Sequence, residues 1–358
     1  MSSLLVTGFP GFIGTRLVRR LLADAPDARV VALVEPRMAE RARECAAGLP
    51  GGDRVTVQPG DITDPLLGID DATYERLVAE TTEIHHLAAI YDLAVPAAIA
   101  ERVNVGGTQH VLDLARRAES LERHHYVSTA YVAGWRSGRI YEAELAAGQT
   151  FKNHYEATKF AAEVLVRNAL DDVPTTVYRP AIVVGDSHTG ETQKFDGPYY
   201  LLRSMNTPFG ASLQIGRGDA AFNVVPVDFV VDAIAAGERD SAAVGHTLHL
   251  VDPDPVSSAE LARLLAREYK GTEPRIPLSP GMVDRSLRFR AVRRLLGGTP
   301  RQSIVYLNHP VTFDTAQADA ILGRQGLRCP RFAEYVGAMV RFFREHEHDD
   351  AYRPAHER

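Results

Sequence analysis

Apolar and polar positions alternate with a changing period along this chain, and the first half reads as strand, helix, strand, helix. Leu4 to Val6 is a short apolar run, and from about Phe12 the apolar positions Leu17 and Leu21 recur at helical spacing beside Arg16 and Arg20. Ala28 to Val34 (ARVVALV) predicts a second buried strand, followed by a polar helical segment over 38–47 and a turn at 48–53. Val55 to Pro59 predicts a third strand, 73–80 a helix, and Glu83 to Ala89 (EIHHLAA) a fourth strand. A long helix is expected over 102–117 and a fifth strand over His125 to Thr129. Strands separated by helices need right-handed crossovers, so the expected fold is α/β, a Rossmann-type doubly wound parallel sheet covered on both faces.

The alternation lapses between Asp186 and Phe222, where Gly, Pro and aromatics (Phe195, Tyr199, Tyr200, Phe209) accumulate. It resumes at Val224 to Ile234, read as a return to the sheet that starts a helix. Thr247 to Val251 reads as the last strand, and 257–269 as an amphipathic helix capped by Ser257 or Ser258. This divides the chain into a dinucleotide-binding domain over 1–185, with 223–251 returning to its sheet, and a smaller substrate-binding part over 186–222 and 252–358. The aromatic stretch suits an apolar acyl pocket or packs the underside of a lid, and Lys194 within it either meets a carrier phosphate or is solvated.

Composition changes this picture little. The 358 residues are 45% hydrophobic and 24% charged, and the net charge of −6 gives no reason to expect nucleic acid. Two cysteines, Cys45 and Cys329, fit a reducing compartment. The chain starts directly in a strand and has no run of about 18 apolar residues, so a cytoplasmic protein is expected. Residues 282–301 interleave six arginines with apolar residues, which predicts a basic helix on a membrane surface, a dock for an acidic carrier or CoA phosphates, or a solvated cover of the substrate part. His85, His86, His124 and His125 lack the spacing of a metal site and read as core or edge residues.

The candidate chemistry begins after the first strand. Gly8, Gly11 and Gly14 sit between that strand and the first helix, where a dinucleotide pyrophosphate would meet the free N–H groups of Phe12, Ile13 and Gly14 at the helix N-terminus. At the end of the second strand Glu35 would hold ribose hydroxyls, while Arg37 and Arg41 would pair with a 2′-phosphate; all three are otherwise solvated charges. Asp61, followed by Ile62, is an acceptor for the adenine amino group or a turn aspartate. Tyr155 and Lys159 are four apart and share a helix face, where an ammonium would lower the tyrosine pKa towards neutrality. Thr129 offers a hydroxyl to the same carbonyl oxygen.

Those motifs resemble the extended short-chain dehydrogenase/reductases over almost the whole chain: TGFPGFIG at 7–14, GDIT at 60–63, HHLAA at 85–89, NVGGT at 104–108, VSTAYVAG at 127–134, YEATK at 155–159 and YRPAIVVG at 178–185. HLAAIYDL at 86–93, STAYVAG at 128–134 and GDSHTGETQKFDGPYY at 185–200 are most similar to the thioester-reductase and fatty acyl-CoA reductase branch. The resemblance implies that Thr129, Tyr155 and Lys159 are the catalytic hydroxyl, acid and lysine, with Thr129 preferred to Ser128 because it lies five residues before Gly134. It implies that Ala88 and Ala89 line the cofactor ribose, that Asn104 belongs with the catalytic set as a brace near the lysine, and that Pro180 begins the loop beside the nicotinamide. NADP is the cofactor that it favours, although Glu35 stands where this branch usually carries arginine, which keeps NAD open. The implied reaction is hydride transfer to a hydrophobic acyl thioester, bound to CoA or a carrier protein, or to its aldehyde, by a protein that is often a homodimer. An alcohol or ketone dehydrogenase, a nucleotide-sugar epimerase and a dinucleotide-sensing protein without turnover remain alternatives on the same scaffold.

Overall fold

The computed structural model describes residues 2–91, 95–206, 213–215, 218–274, 276–278, 285 and 305–353. Among them, β1 (Ser3–Thr7), β2 (Arg29–Val34), β3 (Val55–Pro59), β4 (Glu83–His86), β5 (Arg123–Val127), β6 (Thr175–Pro180) and β7 (Thr247–Leu250) form one parallel sheet. Its order is β7-β6-β5-β4-β1-β2-β3, so the winding reverses between β1 and β4. The crevice outside the carboxyl ends of those two strands is where open α/β sheets bind ligands.

Helices α1 (Phe12–Asp24), α2 (Ala39–Ala47), α3 (Asp71–Glu80), α4 (Gly107–Arg117) and α5 (His154–Asn168) alternate with the strands, as their periodicity predicts. Later come α6 (Tyr199–Met205), α7 (Val227–Arg239), α8 (Ser258–Lys270) and α9 (Phe332–His346). The two-residue period of a strand decides which helix each side chain meets. Leu4, Val6, Val30 and Ala32 pack with Leu17 and Leu21 of α1 and Val230 and Ile234 of α7. Leu5, Leu33 and Ile84 face the other way, against Leu77 of α3, Val111 and Leu114 of α4 and Val166 of α5.

Several boundaries differ from the sequence reading, each for a local reason. The fourth strand stops at His86 because the Ala88 N–H is taken by Thr7 Oγ1 (3.2 Å) instead of a backbone carbonyl. The fifth strand runs over 123–127, not 125–129, because Thr129 leaves the ladder to cap a 3-10 turn at Ala130–Ala133, accepting from Tyr131 N (3.3 Å). The helix expected over 102–117 opens as a π-helical turn at Glu101–Gly106 before α4.

Val224–Pro226 does not return to the main sheet. It pairs with Ile182–Val184, because the chain bends after Pro180, where Ala181 N still bonds Leu250 O (3.1 Å) and Ile182 N turns to Asn223 O (3.3 Å). Nor is β7 the last strand, since Val311–Phe313 pairs with Gly138–Ile140 and Ile276–Leu278 with Leu213–Ile215.

Beyond the sheet, Phe195, Tyr199, Leu202, Leu261, Leu265, Tyr269, Phe332 and Phe343 build a second apolar core from α6, α8 and α9. Phe195, Tyr199 and Tyr200 are all buried, the first two within this core; Phe209 lies outside the described residues. Ser257, not Ser258, caps α8 by accepting from Glu260 N (3.2 Å). No helix among the described residues is long and apolar enough to cross a membrane. The basic stretch 282–301, apart from Arg285, lies outside them.

Candidate active site

The turn after β1 is built by crowding. Gly8 has φ +87°, and a Cβ there would meet Ala88 N and the Leu87 carbonyl carbon at 2.9 Å. A Cβ on Gly11 or Gly14 would meet Gly8 O at 2.6 or 2.4 Å, so both glycines serve the compactness of the turn itself. Gly11 then begins α1 with no side-chain cap, which leaves the first-turn N–H groups of Phe12, Ile13 and Gly14 to an anion.

Around that turn lie the other expected cofactor residues. At the end of β2, Glu35 and Arg37 are paired with each other at 2.5 Å, both substantially exposed. The cation expected to take a 2′-phosphate and the carboxylate expected to repel it thus neutralise one another. Asp61 accepts from Thr63 N (2.8 Å), a turn role, and the Ile62 carbonyl accepts from His110 Nδ1 (2.7 Å). Ala88 and Ala89, half-buried, follow β4 directly beside Gly8. These groups fit a dinucleotide: an uncapped helix end for phosphates, a glycine-bounded turn packed backbone to backbone, and a polar pair at the sheet edge.

Thr129, Tyr155 and Pro180 converge at the carboxyl edge of β5 and β6. The Thr129 hydroxyl lies beside that of Tyr155, whose pKa it lowers, and Thr129 Oγ1 lies 3.5 Å from Pro180 O. Ser128 points the opposite way, its Oγ donating to buried Glu163 Oε2 (2.6 Å), so Thr129 is the hydroxyl at Tyr155. Burial pushes the Tyr155 phenol up to about 12, while its bond with Thr129 works in the other direction.

The expectation that Lys159 lowers the tyrosine towards neutrality is therefore corrected. Lys159 shares the helix with Tyr155, but its ammonium donates to the Tyr126 hydroxyl (2.9 Å) and Val127 O (2.8 Å). Desolvation brings Lys159 itself down to about 7, with Glu163 opposing that shift. Asn104 commits its amide elsewhere: Oδ1 accepts from Ile90 N (2.9 Å), and Nδ2 donates to Ile90 O (3.1 Å) and Thr158 Oγ1 (3.0 Å). It clasps the Ile90 segment to α5, a bracing position and not a place among reacting groups.

Residues missed in the sequence complete the floor of the site. Glu163, one turn after Lys159, takes Arg179 Nη2 at 2.6 Å, Arg167 Nε at 3.0 Å and Ser128. Burial alone would raise its pKa, but the two guanidiniums outweigh it and hold the carboxyl below its ordinary range. An arginine inside the otherwise apolar segment 177–184 was the available signal. Lys152 pairs with Glu156 (3.5 Å), which also accepts from the Tyr306 hydroxyl (2.6 Å), beside Tyr155.

His85, His86, His124 and His125 are all buried; Glu83, His85 and His125 offer ligand atoms within 4.8 Å of one another, with the two imidazoles stacked at 4.5 Å and 12°. Lys194 is paired with Asp196 (3.3 Å) and lies over the Tyr91 ring.

Residues 6–234 match a family of NAD-binding proteins described as "Male sterility protein". A linear gramicidin synthase chain of Brevibacillus parabrevis is 26% identical over 367 residues, covering 94% of this chain and 7% of that protein. Glycine betaine reductase ATRR of Emericella nidulans is 28% identical over 303 residues, covering 76% and 22%. The chain thus spans less than a quarter of the length of either relative. Among solved structures, the terminal R domain from the myxalamid PKS-NRPS biosynthetic pathway matches with a TM-score of 0.83 at 26% identity, over 98% of this chain and 92% of that one. A thiolation-reductase di-domain from an archaeal non-ribosomal peptide synthetase shares the fold, with a TM-score of 0.76 at 17% identity over 97% of this chain and 76% of the other.

Proposed function

The chain belongs to the male sterility protein family of NAD-binding proteins and is an NAD(P)-dependent oxidoreductase of the extended short-chain class, and from that footing we propose that it reduces a hydrophobic acyl thioester, carried by CoA or a carrier protein, or the aldehyde derived from it. The observation that carries this reading is the Thr129–Tyr155 hydroxyl pair, beside Pro180 and at the carboxyl edge of the sheet whose glycine turn suits a dinucleotide. The terminal R domain that the chain resembles along its length supports the thioester as substrate.

When bound, the reduced nicotinamide supplies a hydride to the carbonyl carbon. Thr129 and Tyr155 hold the carbonyl oxygen, and Tyr155 gives it a proton as the negative charge develops. A phenol near 12 is protonated at working pH and matched to an alkoxide-like oxygen, which suits a reductase better than a phenolate would. The resulting hemithioacetal loses its C–S bond: its hydroxyl proton restores the Tyr155 phenol, the carbonyl re-forms as aldehyde, and the departing thiolate takes a proton from solvent to become the thiol. A second hydride would give the alcohol. Lys159 holds the nicotinamide ribose as an ammonium, and Asn104 keeps α5 in register with the Ile90 segment.

For the cofactor, family likeness favours NADP(H), and the Glu35–Arg37 pair leaves NAD(H) usable. Glu35→Gln frees Arg37 for a 2′-phosphate and should raise the NADPH/NADH preference roughly tenfold, one charge-assisted pair gained. The reading is tested by following nicotinamide absorbance with a long-chain acyl-CoA, the matching aldehyde and a simple ketone, beside Tyr155→Phe. Thioester-dependent oxidation lost in the variant supports it. Turnover of ketone alone overturns the thioester assignment.

A further inference from the structure

Beneath the carboxyl edge of the sheet, polar side chains from four elements meet where the core is otherwise apolar. Thr7 of β1, His86 of β4, Thr108 of α4 and Tyr126 of β5 are each at most 1% exposed. Their hydrogen bonds can be followed proton by proton.

The Ala88 N–H can only donate, and it donates to Thr7 Oγ1 (3.2 Å). Thr108 Oγ1 gives its proton to a carbonyl, Asn104 O, so it can only accept from His86 Nε2, which leaves His86 Nδ1 bare to accept from Thr7 Oγ1 (2.7 Å). A neutral imidazole then carries its hydrogen on Nε2 and gives it to Thr108 Oγ1 (3.1 Å). Thr108 passes its own proton to Asn104 O (2.7 Å), in the π-helical turn, and the His86 ring lies 5.7 Å from the ring of Tyr126. The Tyr126 oxygen is left as an acceptor for the Lys159 ammonium (2.9 Å).

We infer that His86, Thr108 and Tyr126 are positioning residues that hold Lys159 in its charged form and lock it to the two backbone turns, Gly8 and Ala88, that cradle the cofactor. This rests on the role given to Lys159 in the reductase reading, but not on the identity of the acyl substrate. A lysine buried this deeply keeps its proton only while acceptors face it, and the Tyr126 oxygen is one of two. The other charged or titratable groups around it are Glu163 and Tyr155 on its own helix, His86 on β4, and Arg179 on β6, which is spent on Glu163. Burial keeps His86 neutral, and the Lys159 charge pushes the same way.

Affinity for the cofactor should therefore fall as pH rises through the lysine's titration, near 7 in the free protein. Nicotinamide fluorescence read against pH, with NADPH and NADH as probes, measures that limb without any acyl substrate. Tyr126→Phe, which removes one oxygen, should move the limb to lower pH by about one unit, the effect of one lost hydrogen bond to a charge. His86→Leu should move it the same way, and His86→Gln, whose amide can accept from Thr7 and donate to Thr108, should restore it. Lys159→Met should abolish the limb. An unmoved limb in Tyr126→Phe overturns the inference, as does equal weakening at every pH in the His86 Leu and Gln variants, which marks a merely structural role. If His86→Leu fails to fold, Tyr126→Phe still decides. Failure of thioester turnover would leave these binding curves intact, so the two readings fail separately.

Discussion

A phenol held near a pKa of 12 donates its proton at every pH at which such a protein works, so the value of Tyr155 lies in position more than in acidity. Tyr155→Phe should cut turnover by roughly 10³-fold with little change in cofactor binding, a general acid's share. Thr129→Ala should cost about 10²-fold as one donor to the developing oxyanion is lost, and Thr129→Ser should recover most of it. Ser128→Ala makes the contrast: its hydroxyl serves Glu163, so denaturant melts should show a loss of about 1–2 kcal/mol while turnover changes far less. At this scale the sequence was informative through its family resemblance, which, counted back from Gly134, points to Thr129 over its neighbour. It said nothing of electrostatics, because the Tyr155 and Lys159 shifts come first from burial, which only the assembled fold creates.

Elements that depend on periodicity were legible; those that depend on distant partners were not. β1 to β3 and α1 carry their own apolar pattern, whereas Gly138–Ile140 is a strand only because Val311–Phe313 lies beside it. Glu142 shows what joins such pieces. Its carboxylate accepts from His249 N on β7 (2.8 Å) and from Gln317 N and Ala318 N (2.5 and 3.1 Å) in the first turn of the helix Ala316–Leu322. Glu142→Ala leaves those donors without their acceptor and should cost about 3 kcal/mol in a urea titration. Burial raises this carboxyl from 4.5 to about 7, so the folded protein binds its proton more tightly than the unfolded chain does. That contribution is complete below about pH 4.5 and is lost as pH rises through 7. The stability of wild type relative to Glu142→Gln should fall by about 3 kcal/mol over that window.

At the scale of the whole molecule, a hydroxyl of the second lobe is tied to the catalytic helix. Tyr306 donates to Glu156 Oε1 (2.6 Å) and accepts from Asn153 Nδ2 (2.9 Å), at the N-terminus of α5 and one residue from Tyr155. Tyr306→Phe removes that tie and should lower kcat/KM about fivefold, the equivalent of one hydrogen bond, with cofactor affinity unchanged. The lobe itself was the least readable part of the sequence. Read along the chain its aromatics suit either a pocket or the packed underside of a lid, and in the fold Phe195 and Tyr199 stand in a core with α8 and α9.

The two charge pairs of the site also differ in what ionic strength does to them. Arg179 and Glu163 are sealed beneath the sheet edge, beyond the reach of dissolved ions, whereas Glu35 and Arg37 stand in solvent. At 0.15 M salt the Debye length is about 8 Å, so added electrolyte weakens the exposed pair, and any 2′-phosphate contact there, while leaving the buried one alone. The choice between the two nicotinamide cofactors should accordingly blur in concentrated salt, while the architecture that carries out the chemistry is left undisturbed.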